Sequence, residues 1–116
     1  MNLFETKLDV YVEEHTEEEN DLLKKVNRDT HVNMVNPRML SGHLQGRILS
    51  MLSHMIAPKH ILEVGTFTGY SALCLAEGMQ QNGKILTIDK NEELESFSKK
   101  YFEASTFNNQ IQQIIG

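Results

Sequence analysis

The sequence predicts an α/β protein: a parallel β-sheet with helices on both faces. Three features carry that expectation. Short apolar runs at His60–Val64, Lys84–Ile88 and Ile111–Ile115 have the length and residue types of buried strands. Segments with helical spacing fill the stretches between them, so strands and helices alternate as in βαβ units. A glycine-bounded turn, Gly65 to Gly69, joins the first strand run to the helix after it. At 116 residues the chain holds about one domain and one modest core.

Each element has its own local signal. Phe4, Leu8 and Tyr11 fall at helical spacing within Leu3–Glu14. Thr16 and Glu19 are spaced as a capping box, predicting that a second helix starts there, with acids first and Lys24, Lys25 and Arg28 after them. Residues 30–41, with Asn33, Asn36 and Pro37, read as an irregular loop. Leu44, Ile48, Leu52, Met55 and Ile56 mark an amphipathic helix that Pro58 ends. Tyr70–Met79 and Glu92–Phe107 are the two remaining helices, the latter with Leu94, Phe97, Tyr101 and Ala104 on one face.

Composition narrows the classes. Hydrophobic residues make up 40% and charged residues 23%, which is a globular balance. Eleven Lys and Arg stand against 16 Asp and Glu, a net charge of −5, which argues against a broad basic nucleic-acid surface but leaves room for one structured RNA on a local patch. The single cysteine, Cys74, lies between Leu73 and Leu75 and reads as a buried, inert thiol. The five histidines (His15, His31, His43, His54, His60) show no metal-ligand spacing and read as surface or packing residues. No apolar run approaches the ~20 residues that cross a bilayer. The N-terminus lacks the features of a signal peptide, so a cytoplasmic protein with no membrane partner is expected.

In a parallel sheet, ligands bind beyond the carboxyl ends of the strands, which places Gly65–Ser71 and Asp89–Asn91 on one rim. Gly65 permits a sharp exit from the first strand, and Gly69 permits close packing where the next helix begins. The amides of that helix start, with the Ser71 hydroxyl, suit a small anion such as a carboxylate. The dinucleotide pattern G-x-G-x-x-G is absent, because Phe67 stands at its second glycine. A side chain there obstructs a pyrophosphate but not a nucleoside without phosphates. Asp89, 20 residues after Gly69, can accept hydrogen bonds from two ribose hydroxyls, and it would repel a 2′-phosphate.

The run Glu63-Val64-Gly65-Thr66-Phe67-Thr68-Gly69-Tyr70-Ser71-Ala72-Leu73 resembles the first cofactor motif of the S-adenosylmethionine-dependent O-methyltransferases of the catechol and caffeoyl-CoA type, the bacterial members above all. The likeness extends back through Met39 and Gly42–Leu49 and forward through Leu86–Asn91. It implies the Rossmann-like fold of class I methyltransferases, preceded by N-terminal helices. On that reading residues 1–116 form a single partial domain: 1–40 the N-terminal helices and loop, 41–116 the first half of the cofactor-binding fold. Residue by residue, it implies that Ser71 holds the methionyl carboxylate and Gly65 offers backbone to the methionyl amino group. Glu63 and Tyr70 shape the site, with Thr66 and Phe67 of the same turn among the cofactor-binding residues. Asp89 grips the ribose, Lys90 lies beside the adenine, and Met39 and Ser41 close over the cofactor near its methyl group. Asp89 stands where the family more often has Glu, one methylene longer.

The resemblance also implies a divalent cation, usually magnesium, whose ligands would lie beyond Gly116 in a longer enzyme, as would the catalytic residues. The 116 residues alone are therefore expected to be inactive, and, with strand one an open edge in the order 3-2-1-4-5, to be marginally stable or self-associating. The acceptor implied is a hydroxyl of a catechol-like small molecule; hydroxyuridine in transfer RNA is the alternative, and a homodimer is expected. A nicotinamide-dependent oxidoreductase and a non-catalytic cofactor-binding or assembly module are the competing readings.

Overall fold

A computed structural model describes residues 6–34 and 36–116. Leu3 and Phe4, counted above in the first helix, lie outside the described residues. Helix α1 runs over Lys7–Glu14, α2 over Asp21–Asn33, and a 3-10 turn at Pro37–Met39 leads to α3, Gly42–Ile56. Strand β1 (His60–Val64), α4 (Tyr70–Ala76), β2 (Lys84–Asp89), a second 3-10 turn at Glu92–Leu94, α5 (Glu95–Ala104) and β3 (Ile111–Ile115) follow.

The three strands are parallel in the order β1-β2-β3, so β2 is central and β1 is an edge among the described residues. Paired residues in a parallel sheet share a face, and the two faces differ sharply. Ile61 and Ile111 pack toward the core that Ile85 anchors, and Thr87 is fully buried beside them. The helices cover this face: α5 reaches it through Ser98, whose hydroxyl donates to the Gln113 side chain on β3 (2.5 Å). On the other face Leu62 is 67% exposed and Val64 81%. Among the described residues the second helical layer of the predicted sandwich is therefore not present.

Several local expectations change. Thr16 and Glu19 do not cap α2. The Thr16 hydroxyl donates backward to the Val12 carbonyl, and the Glu19 carboxylate accepts from the Tyr70 phenol (2.5 Å) and the Asn27 amide (3.3 Å). A tertiary partner has taken the acid the local motif needed. Asn20 caps the helix instead, its side chain accepting from Leu23 N–H (2.8 Å). A capping box does form at α1, between Thr6 and Asp9, and it holds the Asp9 carboxyl below its ordinary range. The predicted loop from residue 30 begins only after Asn33. The helix expected over Tyr70–Met79 stops at Ala76, and that expected over Glu92–Phe107 is a 3-10 turn followed by α5.

The apolar stripe of α3 does not face the core. Met55 is 75% and Ile56 72% exposed, whereas Gly46, Ser50 and Ser53 are buried against α4. Small residues win because the two helices approach closely. A Cβ on Gly46 would sit 2.7 Å from the Tyr70 ring and 2.8 Å from Cys74 Sγ. The Ser53 hydroxyl donates to the Leu75 carbonyl (2.6 Å), fixing the crossing.

Candidate functional site

The turn between β1 and α4 is built residue by residue against its neighbours. Gly65 adopts φ +104° and its N–H donates to the Ile88 carbonyl (2.7 Å), which closes the end of the β1–β2 ladder. Thr66 is buried, its hydroxyl 2.7 Å from that of Thr87. Phe67 takes φ +48°, a left-handed conformation that costs a non-glycine residue about 1 kcal/mol or more. Its N–H donates to Asp89 Oδ2 (3.0 Å), which offsets that strain. Thr68 is fully buried and its hydroxyl bonds to that of Thr30 of α2 (3.0 Å). Gly69, at φ +94°, lies so close to Phe102 that a Cβ would meet the ring at 2.7 Å.

Behind the turn, Glu63 Oε1 accepts from Thr87 (2.7 Å) and Oε2 from Ser71 (2.6 Å). An ionised carboxylate only accepts, so Thr87 donates to it and Thr66 in turn donates to Thr87. Burial pushes the Glu63 carboxyl above its ordinary value, opposed by those two hydroxyl bonds. This arrangement revises the expectation for Ser71. Its hydroxyl proton is directed to Glu63, so a carboxylate at the helix start would meet backbone N–H groups instead. Leu73 is the first residue of α4 whose N–H turns back into the helix, to the Gly69 carbonyl (3.1 Å).

The predicted site residues fall into four places. Met39, Ser41, Gly65, Thr66, Phe67, Tyr70 and Ser71 line one small cavity of about 60 Å³. Met39 and Phe67 also line an adjoining groove of about 440 Å³ that has Asp89 in its wall. Glu63 stands behind the cavity and acts through Ser71. Lys90 is exposed and lines neither. Asp89 Oδ1 accepts from Asn91 N–H (3.0 Å), so both carboxylate oxygens are oriented by backbone and each keeps a free lone pair.

The groove also takes Asn33, Asn36, Asn91 and Glu93, which the sequence reading did not name as site residues. Nothing in the sequence marks Asn33 or Asn36. Thr87 was not named either, although a polar residue on the same strand face as Ile85 and Asp89 needs a buried partner.

A larger concavity, about 600 Å³, lies beside α3 among Glu17, Arg47, Met51, Met55 and Glu77. There the Arg47 guanidinium is committed to Glu77 in a two-pronged pair (3.0 and 2.5 Å), which raises its already high pKa. Burial pushes the neighbouring Cys74 thiol up to about 12, and the side chain is buried, as its sequence context predicted. Three histidines direct Nδ1 at a carbonyl one turn back in their own helix: His15 to Tyr11, His31 to Asn27 and His54 to Ser50, each at 2.8 Å.

The family model for O-methyltransferases matches residues 13–116. The chain belongs to the O-methyltransferase family. Among curated relatives it is 29% identical over 68 residues to a catechol O-methyltransferase of Niastella koreensis, covering 59% of this chain and 31% of that protein. It is 47% identical over 49 residues to caffeoyl-CoA O-methyltransferase 2 of Petunia hybrida, covering 42% of this chain and 20% of that one. Among solved structures, an O-methyltransferase from Bacillus cereus in complex with SAH superposes with TM-score 0.85 at 25% identity, over 96% of this chain and 50% of that one. TomG from Streptomyces achromogenes, in complex with SAM, gives 0.84 at 26% identity, over 94% and 48%. This O-methyltransferase chain thus spans about half the length of the solved chains it matches and less of the curated relatives. Its three-stranded parallel sheet and helices are the corresponding part of the class I methyltransferase fold, as the motif around Gly65 predicted. No helix among the described residues is long and apolar enough to cross a membrane.

Proposed function

We propose that this chain is the cofactor-holding half of an S-adenosylmethionine-dependent O-methyltransferase acting on a hydroxyl of a catechol-like small molecule. The observation that carries the cofactor reading is the Asp89 carboxylate. It stands at the end of β2, in the wall of the groove, with both oxygens oriented by backbone N–H groups and lone pairs left for two ribose hydroxyls. The small cavity beside it would take the methionyl end, with Gly65 backbone and the first amides of α4 as its polar contacts and Tyr70 as a wall. Met39 lies between cavity and groove, where it would cover the sulfur, and Ser41 lies beside it. Phe67, which lines the groove, stands where the dinucleotide pattern has its second glycine, and a side chain there favours a nucleoside over NAD. Lys90, exposed just past Asp89, is where the adenine edge would pass.

When bound, the cofactor supplies an electrophilic methyl group on a sulfonium sulfur, open to in-line displacement by an oxygen. The residues of this chain hold and orient it. The acceptor reading rests on relatives named catechol and caffeoyl-CoA O-methyltransferase. No three His, Cys, Asp or Glu side chains converge among the described residues, so these do not fit a divalent cation and no step here is routed through one.

The test is calorimetric titration with S-adenosylhomocysteine, with NAD for comparison. Binding of S-adenosylhomocysteine alone, weakened by Asp89→Ala about 30-fold or more, is expected for a charged acceptor of two hydroxyls. Binding of NAD without S-adenosylhomocysteine would overturn the reading.

A further inference from the structure

Four residues of the cofactor turn are fastened to other parts of the fold, and one fastening differs from the rest. Gly65, Thr66 and Phe67 bond to β2, the strand next door, through Ile88, Thr87 and Asp89. Thr68 bonds instead to Thr30, 38 residues earlier, on a helix that precedes the sheet altogether. Both threonines are fully buried. The Thr30 hydroxyl lies 2.6 Å from the Val26 carbonyl of its own helix as well as 3.0 Å from Thr68. Its single proton can serve either, so the Thr68 hydroxyl has a partner in each arrangement. Valine at position 30 would keep the shape and leave the buried Thr68 hydroxyl without that partner.

We infer that Thr30 is a positioning residue for the cofactor turn: through Thr68 it lets α2 hold Phe67 in its left-handed conformation, with its N–H on Asp89. This rests on the cofactor reading above only for its functional consequence; the mechanical link is a property of the unliganded chain. Glu19, which accepts from Tyr70 at the start of α4, ties the same helical region to the other end of the turn.

Amide hydrogen exchange on the 116-residue chain tests the link without a ligand. Thr30→Val should speed exchange of the Phe67 and Gly69 amides about tenfold while leaving Ile85, bonded to the Gln110 carbonyl in the sheet, unchanged. Thr30→Ser, which keeps the hydroxyl, should restore the wild-type rates. Equal acceleration at the turn and the sheet would show that Thr30 merely stabilises the fold, and no acceleration would show that the turn holds itself; either overturns the inference. Titration with S-adenosylhomocysteine separates this from the cofactor reading. Weaker binding by Thr30→Val, restored by Thr30→Ser, supports the inference, and unchanged binding overturns its functional consequence. A wild-type chain that binds no S-adenosylhomocysteine strikes the cofactor reading, and exchange alone then decides the link.

Discussion

The two flanks of β1 are built on opposite terms. On the helix-covered side, the turn from Gly65 to Gly69 is made of glycines and threonines around Phe67, and its contacts are specific hydrogen bonds to β2 and α2. On the other side, Leu62 and Val64 of β1, like Met55 and Ile56 of α3, present apolar surface to water. The first region finds these partners within residues 6–116. The second has the composition of a core and the exposure of a surface, the combination that marks a face suited to burial. The difference teaches that a tight turn can be completed by a few specific hydrogen bonds, whereas apolar cover depends on how many layers of chain are stacked on the sheet.

The comparison can be broken most forcefully at Gly78. A Cβ there would lie 2.2 Å from the His54 backbone nitrogen and 2.3 Å from the Ser53 carbonyl carbon, so α3 would have to move off α4. Gly78→Ala should therefore cost about 3 kcal/mol in urea unfolding. A loss under about 0.5 kcal/mol would mean that α3 is not docked as described.

Glu63 sharpens the satisfied side. Burial raises its folded-state pKa above the unfolded value, so its contribution to stability is fully present below the unfolded pKa and is lost as pH rises through the folded one. Glu63→Gln should flatten that loss. At acid pH the two proteins should differ by about 1 kcal/mol at most, with the balance shifting toward the variant as pH approaches neutrality. Parallel stability–pH curves would show that Glu63 does not titrate in that window.

The smallest effect is expected on the apolar flank. Val64→Lys should change unfolding free energy by no more than about 0.5 kcal/mol, because the side chain is already 81% exposed. It should also lower self-association in sedimentation velocity. A loss of more than about 1 kcal/mol would reveal that the flank is covered in solution.

Much of this was legible in the sequence. The three strands and the turn could be read closely because Gly65, Gly69 and the apolar runs are local signals with local causes. Asp89 could be placed at the end of β2 from the pattern of the strand and its distance from Gly69. The failures have a common physical form. Thr16 and Glu19 met the pattern of a cap, but a tyrosine 51 residues from Glu19 supplied a better partner for the acid. The stripe Leu44–Ile56 has the right period, yet periodicity does not say which face is buried, and close helix contact selected Gly46, Ser50 and Ser53. Ser71 lines the small cavity, but the sequence reading gave its hydroxyl to a ligand where the structure directs it to Glu63. Long-range hydrogen bonds are what single-residue patterns miss.

The left-handed Phe67 has one more consequence. A turn whose awkward backbone is already locked by Asp89 would meet an incoming molecule in its final shape, with little chain freedom left to lose on association. The unfavourable conformation is met once, during folding, and not at every encounter. Affinity at such a turn should respond to loosening of its anchors even when every atom that touches the ligand is kept.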